Sequence, residues 1–403
     1  MMLKSLDELG IVSRGRSRHR PRDAAHLYGG PYPLVQTGDI KKSGLYLTEY
    51  EQTYSQAGLD QSKLWPSGTL CITIAANIAE TSILKVDACF PDSVIGFIPH
   101  EDAADVRYLK YLFDSSLKRR LQKFTQGVAQ DNLSGSKLIS LKFEIPHFSV
   151  QKNIADILSA YDDLIENNRR RIQLLEDSAR LLYQEWFVHL RFPGFEEEEV
   201  VDGVPEGWDT APLPVAIELN PTERLGKCSS IRGISMSALS ESNMLIDMKL
   251  VETKEAPSGS RFRNGDTLLA RITPCLENGK TAYVSELAEQ EVACGSTEFI
   301  VMRGKLVSST YTYCLARSQG FRDKAIKSMV GSSGRQRVVT SAFDSYTLAI
   351  PPEPLMNRFD TLTQPIFQQI TTLNRQNHEL AQARDLLLPR LMNGEIELET
   401  IAE

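Results

Sequence analysis

The chain writes one junction twice, and that repetition narrows its possible folds more than any other feature. The stretch "EIPHFSVQKNIADIL", Glu144 to Leu158, reads as the end of a strand, a proline, and the first turns of a helix; "AIPPEPLMNRFDTL", Ala349 to Leu362, has the same grammar. The two Ile-Pro pairs begin at Ile145 and Ile350, 205 positions apart. The segments in front of them match as well. "WPSGTLCITIAANIAET" (Trp65 to Thr81) parallels "RNGDTLLARITPCLENGKT" (Arg263 to Thr281), where Gly-Thr-Leu and Gly-Asp-Thr-Leu each lead into a strand-like run. "GVAQDNLSGSKLISLKFEIP" (Gly127 to Pro146) parallels "GSSGRQRVVTSAFDSYTLAIP" (Gly331 to Pro351): a Gly-rich loop, a Gln, and an alternating strand ending in Ile-Pro. A repeat of about 200 residues is too long for a solenoid unit and means two copies of a whole domain. The length of 403 residues agrees, because a single core stops growing well before that.

Each copy is followed by a heptad-like helix. After Pro146, apolar or aromatic residues recur at Ile154, Leu158, Tyr161, Ile165, Ile172, Leu175, Ala179, Leu182 and Trp186, interrupted only by Asn168. After Pro354 the rhythm runs through Phe359, Leu362, Ile366, Leu373, Leu380, Ala383 and Leu387, with Gln369 and Gln376 as polar members. A sustained 3.5-residue repeat makes a narrow apolar seam that wants a partner helix. Ordinary amphipathic helices packed on their own domains are the simpler alternative. The narrow seams, the charged flanks ("ENNRRR", "LEDSAR", "NRQNHELAQARD") and the two matched copies favour pairing of the helices with each other, with Asn168, Gln369 and Gln376 fixing register. Each helix is expected to span roughly 35 residues, or roughly 50 Å. Between the copies, "RFPGFEEEEVVDGVPEGW" (Arg191 to Trp208) reads as a solvated linker.

Several function classes are disfavoured. The six cysteines (Cys71, Cys89, Cys228, Cys275, Cys294, Cys314) form no C-x-x-C pair and read as buried thiols, and the six histidines show no ligand spacing, so no metal site is expected. No window approaches the roughly 18 apolar residues of a bilayer span, and "MMLKSLDELG" lacks the features of a secretory signal; no membrane association and a cytoplasmic location are expected. Neither dinucleotide nor P-loop glycine patterns occur, and "GSSG" at Gly331 is closed by no Lys-Ser/Thr. "NPTE" at Asn220 lacks the second proline and the aromatic of the amino-methyltransferase motif. No catalytic residue is assigned.

Local basicity stands out within an acidic chain of net charge −7. "SRGRSRHRPR" packs Arg14, Arg16, Arg18, Arg20 and Arg22 with His19 into ten residues, and "DIKKSG" adds Lys41 and Lys42. In the second copy Arg261, Arg263 and Arg271 flank the strand-like run at Thr267, and Arg335, Gln336 and Arg337 sit on the glycine-flanked loop with Ser332 and Ser333. Arginine suits phosphate contact and bidentate reading of guanine, Gln and Asn pair with adenine, and Gly/Ser backbone amides can meet phosphate. Nucleic acid is the favoured partner of this cluster, and an acidic protein bound by a mobile arginine-rich arm is the alternative. A coiled-coil scaffold with two protein-binding domains therefore remains the alternative to a DNA reader.

The pieces taken in order resemble the specificity subunit of a type I restriction-modification system: "LVQTGDIKKSG", "SGTLCITI", the Gly/Gln loop before an Ile-Pro strand, the Gln-x-x-Ile helix start in "QKNIADILSAYDDLIENNRRRIQLLEDSARLLYQEWF", then "RFPG", "VPEGW" and "LLLPRLMNGEIEL". The resemblance implies an α+β chain of two repeated target recognition domains, each followed by a long helix, the two helices pairing as an antiparallel coiled coil. On this plan residues 1–147 form the first recognition domain, 148–190 the first spacer helix and 191–207 the linker. Residues 208–351 form the second domain, 352–394 the second helix and 395–403 the tail. It further implies that each domain reads one half of a split double-stranded DNA target. Two copies of a modification subunit carrying S-adenosylmethionine would dock on the helices, and a motor and restriction subunit would complete the complex, so this chain itself needs no cofactor. The Gly127 to Gln130 and Gly331 to Gln336 loops match the family's DNA-facing loop, which makes Gln130 and Gln336 the sharpest candidate DNA contacts, with Gln126 beside the first loop. The second helix lacks the Gln of the first, having "PLMNRF" instead, and the first domain lacks a "PEGW"-like opening.

Overall fold

The structure is a computed structural model that describes residues 2–125, 135–224, 231–255, 258–332 and 334–396, the side chains of 117–125 and 135 excepted. The chain packs as two compact units, Met1–Glu166 with His378–Glu403, and Asn167–Asn377, so each unit takes a part of both long helices.

In the first unit, strand Met2–Ser5 lies antiparallel to Lys142–Ile145, with Met2 opposite Ile145. A five-stranded sheet runs in the order Gly10–Arg14, Val94–Pro99, Leu70–Thr73, Thr81–Leu84, Tyr46–Leu47. A four-stranded sheet runs Gln52–Tyr54, Tyr28–Leu34, Ala88–Cys89, Leu64–Trp65. The second unit repeats this plan. Asp209–Pro212 lies antiparallel to Thr347–Ile350, with Asp209 opposite Ile350. One sheet runs Ile217–Leu219, Phe299–Gly304, Thr267–Ala270, Thr281–Tyr283, and the other Val251–Lys254, Ile231–Ile234, Ala293–Gly295, Ser260–Phe262.

The correspondence reaches single residues. The one parallel step in the four-stranded sheet of the first unit joins Leu34 to Cys89, that in its counterpart joins Gly233 to Cys294, and these buried cysteines are separated by the same 205 positions as the Ile-Pro pairs. Gly68 and Gly265 both adopt left-handed backbone (φ +86° and +88°), which glycine reaches without a Cβ penalty. Each donates its N–H across the following hairpin at 2.8 Å, to the carbonyls of Leu84 and Val284. The strands that follow, Leu70–Thr73 and Thr267–Ala270, are buried at every residue. That is why the sequence there is a continuous apolar run rather than an alternation.

Helix Phe148–Tyr183 is extended by one π turn, Gln184–Val188, and the second long helix is Glu353–Met392. In the first unit the start of the first helix meets the end of the second: Ile154, Leu158 and Leu391 share one core, on which Leu387, Leu388 and Met392 also pack. Arg384 there donates to Asp162, which also accepts from Tyr111 Oη at 2.5 Å. In the second unit the end of the first helix meets the start of the second, where Ile172, Ala179 and Trp186 share a core with Phe359, Phe367 and Ile370. The Phe187 and Phe359 rings lie 4.9 Å apart. The pairing is therefore antiparallel, and the fold is α+β with two repeated globular parts, each followed by a long helix.

Three expectations need correction. On the second helix Gln369 and Gln376 point to solvent and Leu362 is 46% exposed. Phe359 and Leu373 of the expected seam are buried, but the buried series is Met356, Phe359, Thr363, Phe367, Ile370, Leu373 and Asn374, because this face packs on strand-bearing structure as well as on a helix and so is wider than a heptad seam. The polar layer is instead Asn168 donating to Asn377 Oδ1 at 3.0 Å. Second, the linker is partly built in: Phe192 and Trp208 are buried with ring centroids 5.2 Å apart, and Val200–Val201 pairs with Val204–Pro205, while Glu196 to Glu199 are exposed. Third, a short helix precedes each Ile-Pro strand, Gly135–Ser140 in the first unit and the 3₁₀ turn Thr340–Phe343 in the second.

Candidate nucleic-acid interface

The arginine-rich segment of the first unit leaves strand Gly10–Arg14 and is stitched down by its backbone. Gly15 N–H donates to Val94 (2.8 Å), Arg16 N–H to Phe90 (3.0 Å), and the N–H groups of Arg18 and His19 to Gln61 Oε1 (2.6 and 3.1 Å). It is a bound rim, not the mobile arm considered from the sequence. Arg14 Nε donates to the Asp92 carbonyl at 3.1 Å, and Arg22 Nη2 reaches both Asp92 carboxylate oxygens at 3.0 Å. Arg20 folds back onto the carbonyls of Ser17 and His19. Among the described residues the exposed side chains of Arg16 and Arg18 make no hydrogen bond or ion pair. Lys41 and Lys42 close helix Thr37–Lys42, where cations suit the C-terminal partial charge. Lys42 also meets Glu51 at 2.5 Å in an exposed pair of small energetic weight.

In the second unit the basic residues fall into two places. Around Glu223, Arg261 Nη1 donates to the carbonyl at 2.8 Å, and Arg263 Nε lies 3.7 Å from the carboxylate. That carboxylate mainly serves Arg303, at 2.6 Å, whose Nε and Nη2 also grip the enclosed Asp266 at 2.7 Å each. Arg303 is held charged by these carboxylates, chiefly Asp266. The second place is the glycine loop. Val330 and Arg337 exchange both backbone hydrogen bonds at 2.9 Å and close a neck around Gly331 to Gln336. Thr273 N–H donates to the Gln336 carbonyl (3.1 Å), Val338 N–H to Arg271 (2.9 Å) and Arg271 N–H to Glu298 (3.0 Å). This ladder brings Arg271, Gln336 and Arg337 together.

Arg337 Nε donates to both Glu298 oxygens at 2.9 Å and Nη2 lies 2.9 Å from Oε1, a contact that raises the arginine's pKa. Arg335 is exposed, without a side-chain partner among the described residues, and its N–H donates to the Ser332 carbonyl at 3.0 Å. Arg271 Nε is enclosed without a hydrogen-bond partner. Gln126, Gln130 and Ser333 lie outside the described residues.

Asp92 and Glu298 escape sequence reading because nothing local marks them; the arginines they hold lie 70 residues upstream and 39 downstream. Other features are structural. Asn220 accepts from Val301 N–H through Oδ1 at 3.0 Å and closes a sheet edge. Burial pushes the thiols of Cys71 and Cys314 well above their ordinary range. Among the described residues no His/Cys/Asp/Glu group is placed to hold a metal ion, and no helix is long and apolar enough to cross a membrane.

Residues 1–177 match the family described as type I restriction modification DNA specificity domain. The chain is 26% identical to the type I restriction enzyme MjaIX specificity subunit of Methanocaldococcus jannaschii, over 99% of this chain and 94% of that protein. It is 23% identical to the HindI specificity subunit of Haemophilus influenzae, over 96% and 98%. The crystal structure of a type I restriction-modification S subunit from M. genitalium shares the fold, with a TM-score of 0.58 at 13% identity across 97% of this chain and 95% of that one. The fold is duplicated, carries arginines at edges of both copies, and is matched along nearly its whole length by proteins named as specificity subunits. More narrowly, the chain is similar along nearly its whole length to specificity subunits of type I restriction-modification systems.

Proposed function

We propose that the chain reads a bipartite double-stranded DNA target, one half with each repeated unit, while the paired helices hold the two halves of the target at a fixed spacing. The single observation that carries this reading is the duplicated strand order, with each copy leading through an Ile-Pro strand into one of two antiparallel helices. On this reading Arg14, Arg16, Arg18, Arg20, Lys41 and Lys42 serve the first half-site together with Gln126 and Gln130. Arg261, Arg263, Arg271, Ser332, Ser333, Arg335, Gln336 and Arg337 serve the second.

The helices dock two copies of a modification subunit that carries S-adenosylmethionine and methylates adenine, and a restriction subunit joins the same complex. This chain contributes recognition rather than chemistry, and works in the cytoplasm. Its net charge of −7 keeps binding by the isolated chain weak, so the assembled complex is the tight binder. Co-expression with the modification subunit, followed by mapping of methylated adenines across a host genome, tests the reading. Two short motifs at fixed separation are expected; methylation without a split motif, or none, contradicts it.

A further inference from the structure

We propose that Asp92 and Glu298 are positioning residues for base reading, each presenting one arginine, Arg22 and Arg337 respectively, to an acceptor pair on DNA. The inference rests on the reading that both units bind DNA. The two carboxylates lie beside corresponding strands of the duplicated fold, one position out of register: Arg271 N–H donates to the Glu298 carbonyl where Ile74 N–H donates to that of Ser93, the neighbour of Asp92. Asp92 stands two residues before strand Val94–Pro99, and Glu298 immediately before its counterpart Phe299–Gly304. The arginines have different origins, one from the N-terminal rim and one from the glycine loop. Each unit thus sets an acid against an exposed arginine beside the same strand, as a surface that must aim a long side chain demands.

The geometry suits that demand. Glu298 fills the Nε and Nη2 edge of the planar Arg337 fork, which leaves Nη1 and the outer Nη2 hydrogen for a bidentate acceptor such as guanine O6 and N7. Asp92 engages Arg22 through Nη2 and leaves the two hydrogens of Nη1 for acceptors on DNA. Arg337 and Arg22 stay 45% and 49% exposed, so another molecule can reach them. Pairs this exposed contribute little to stability, and a carboxylate on a phosphate-binding surface opposes binding through its charge. Its use is to fix a long side chain in advance and so lower the entropic cost of the contact. The Arg337 backbone is held correspondingly firmly, through both hydrogen bonds to Val330.

The test is methylome mapping of the full chain co-expressed with its modification subunit, comparing native protein with Glu298→Gln, Glu298→Asp, Arg337→Ala and Asp92→Asn, with melting temperatures measured alongside. Glu298→Gln and Arg337→Ala are expected to relax the same base pair of one half-site, each losing about tenfold in discrimination. Glu298→Asp should recover part of it, Asp92→Asn should relax one base pair of the other half-site, and melting should stay unchanged. A native two-part motif that Glu298→Gln and Asp92→Asn leave intact overturns this inference and spares the DNA reading. Weaker methylation at every site together with lowered melting assigns the acids a structural role and overturns it as well. A native chain that yields no two-part motif removes the DNA reading, and this inference with it.

Discussion

Glu176 carries a carboxylate into the core of the second unit. It is fully enclosed on the first long helix, where Tyr313 Oη (2.6 Å) and Met244 N–H (2.8 Å) donate to it; Arg317 Nε lies 3.9 Å away, within ion-pair range but beyond a hydrogen bond. Burial pushes its pKa up despite these partners and the nearby Arg180. An unfolded glutamate titrates near 4.3, so between that value and the raised folded value the native state binds more protons than the unfolded one. Stability from this group is therefore greatest below the unfolded value and falls as pH rises through the folded one. Glu176→Gln should flatten that fall, read by chemical denaturation at a series of pH values; equal slopes in both proteins would contradict the assignment. By contrast Glu176→Ala leaves Tyr313 Oη and Met244 N–H without their acceptor and Arg317 without its nearest carboxylate, and should cost about 3 kcal/mol.

At the scale of elements, the Asn168 and Asn377 layer makes a distinct prediction. Asn168→Leu alone strands the partner amide and should destabilise by about 1 kcal/mol, whereas adding Asn377→Leu should recover the loss, an asymmetry that a double-mutant cycle by thermal unfolding detects. The second helix runs unbroken through the exposed Pro365, which has no N–H for the Thr361 carbonyl. Pro365→Ala removes an intrinsic cost of about 3 kcal/mol and gives back roughly 1 kcal/mol of unfolded-chain freedom. A net gain of about 2 kcal/mol should appear in denaturant melts. The junctions, the repeat and the helix pair were legible because each rests on local pattern. The register of the second helix was not, because its inward face answers to contacts made along two sides. The role of Gln151 was not legible either. It is buried, accepts from Asp105 N–H (3.0 Å) and donates to the Pro146 carbonyl (3.0 Å), which clamps the first junction. In the second copy, 205 positions on, Met356 fills the equivalent place with apolar packing. The absent glutamine is therefore a change in how the junction is held. Asp92 and Glu298 were hidden for a third reason, since each is defined by an arginine distant in sequence.

For the whole molecule, the central claim is that two reading units are held at a fixed spacing by the paired helices. A heptad adds about 10 Å of helix and nearly preserves the face presented, which corresponds to about three base pairs at 3.4 Å per step. The most direct measurement is methylome mapping with matched seven-residue insertions at the Asn168 and Asn377 layer of both helices, keeping each buried series in phase. The account predicts the same two half-site sequences with the gap between them lengthened by about three base pairs. An unchanged gap, or altered half-sites at the original gap, would contradict it.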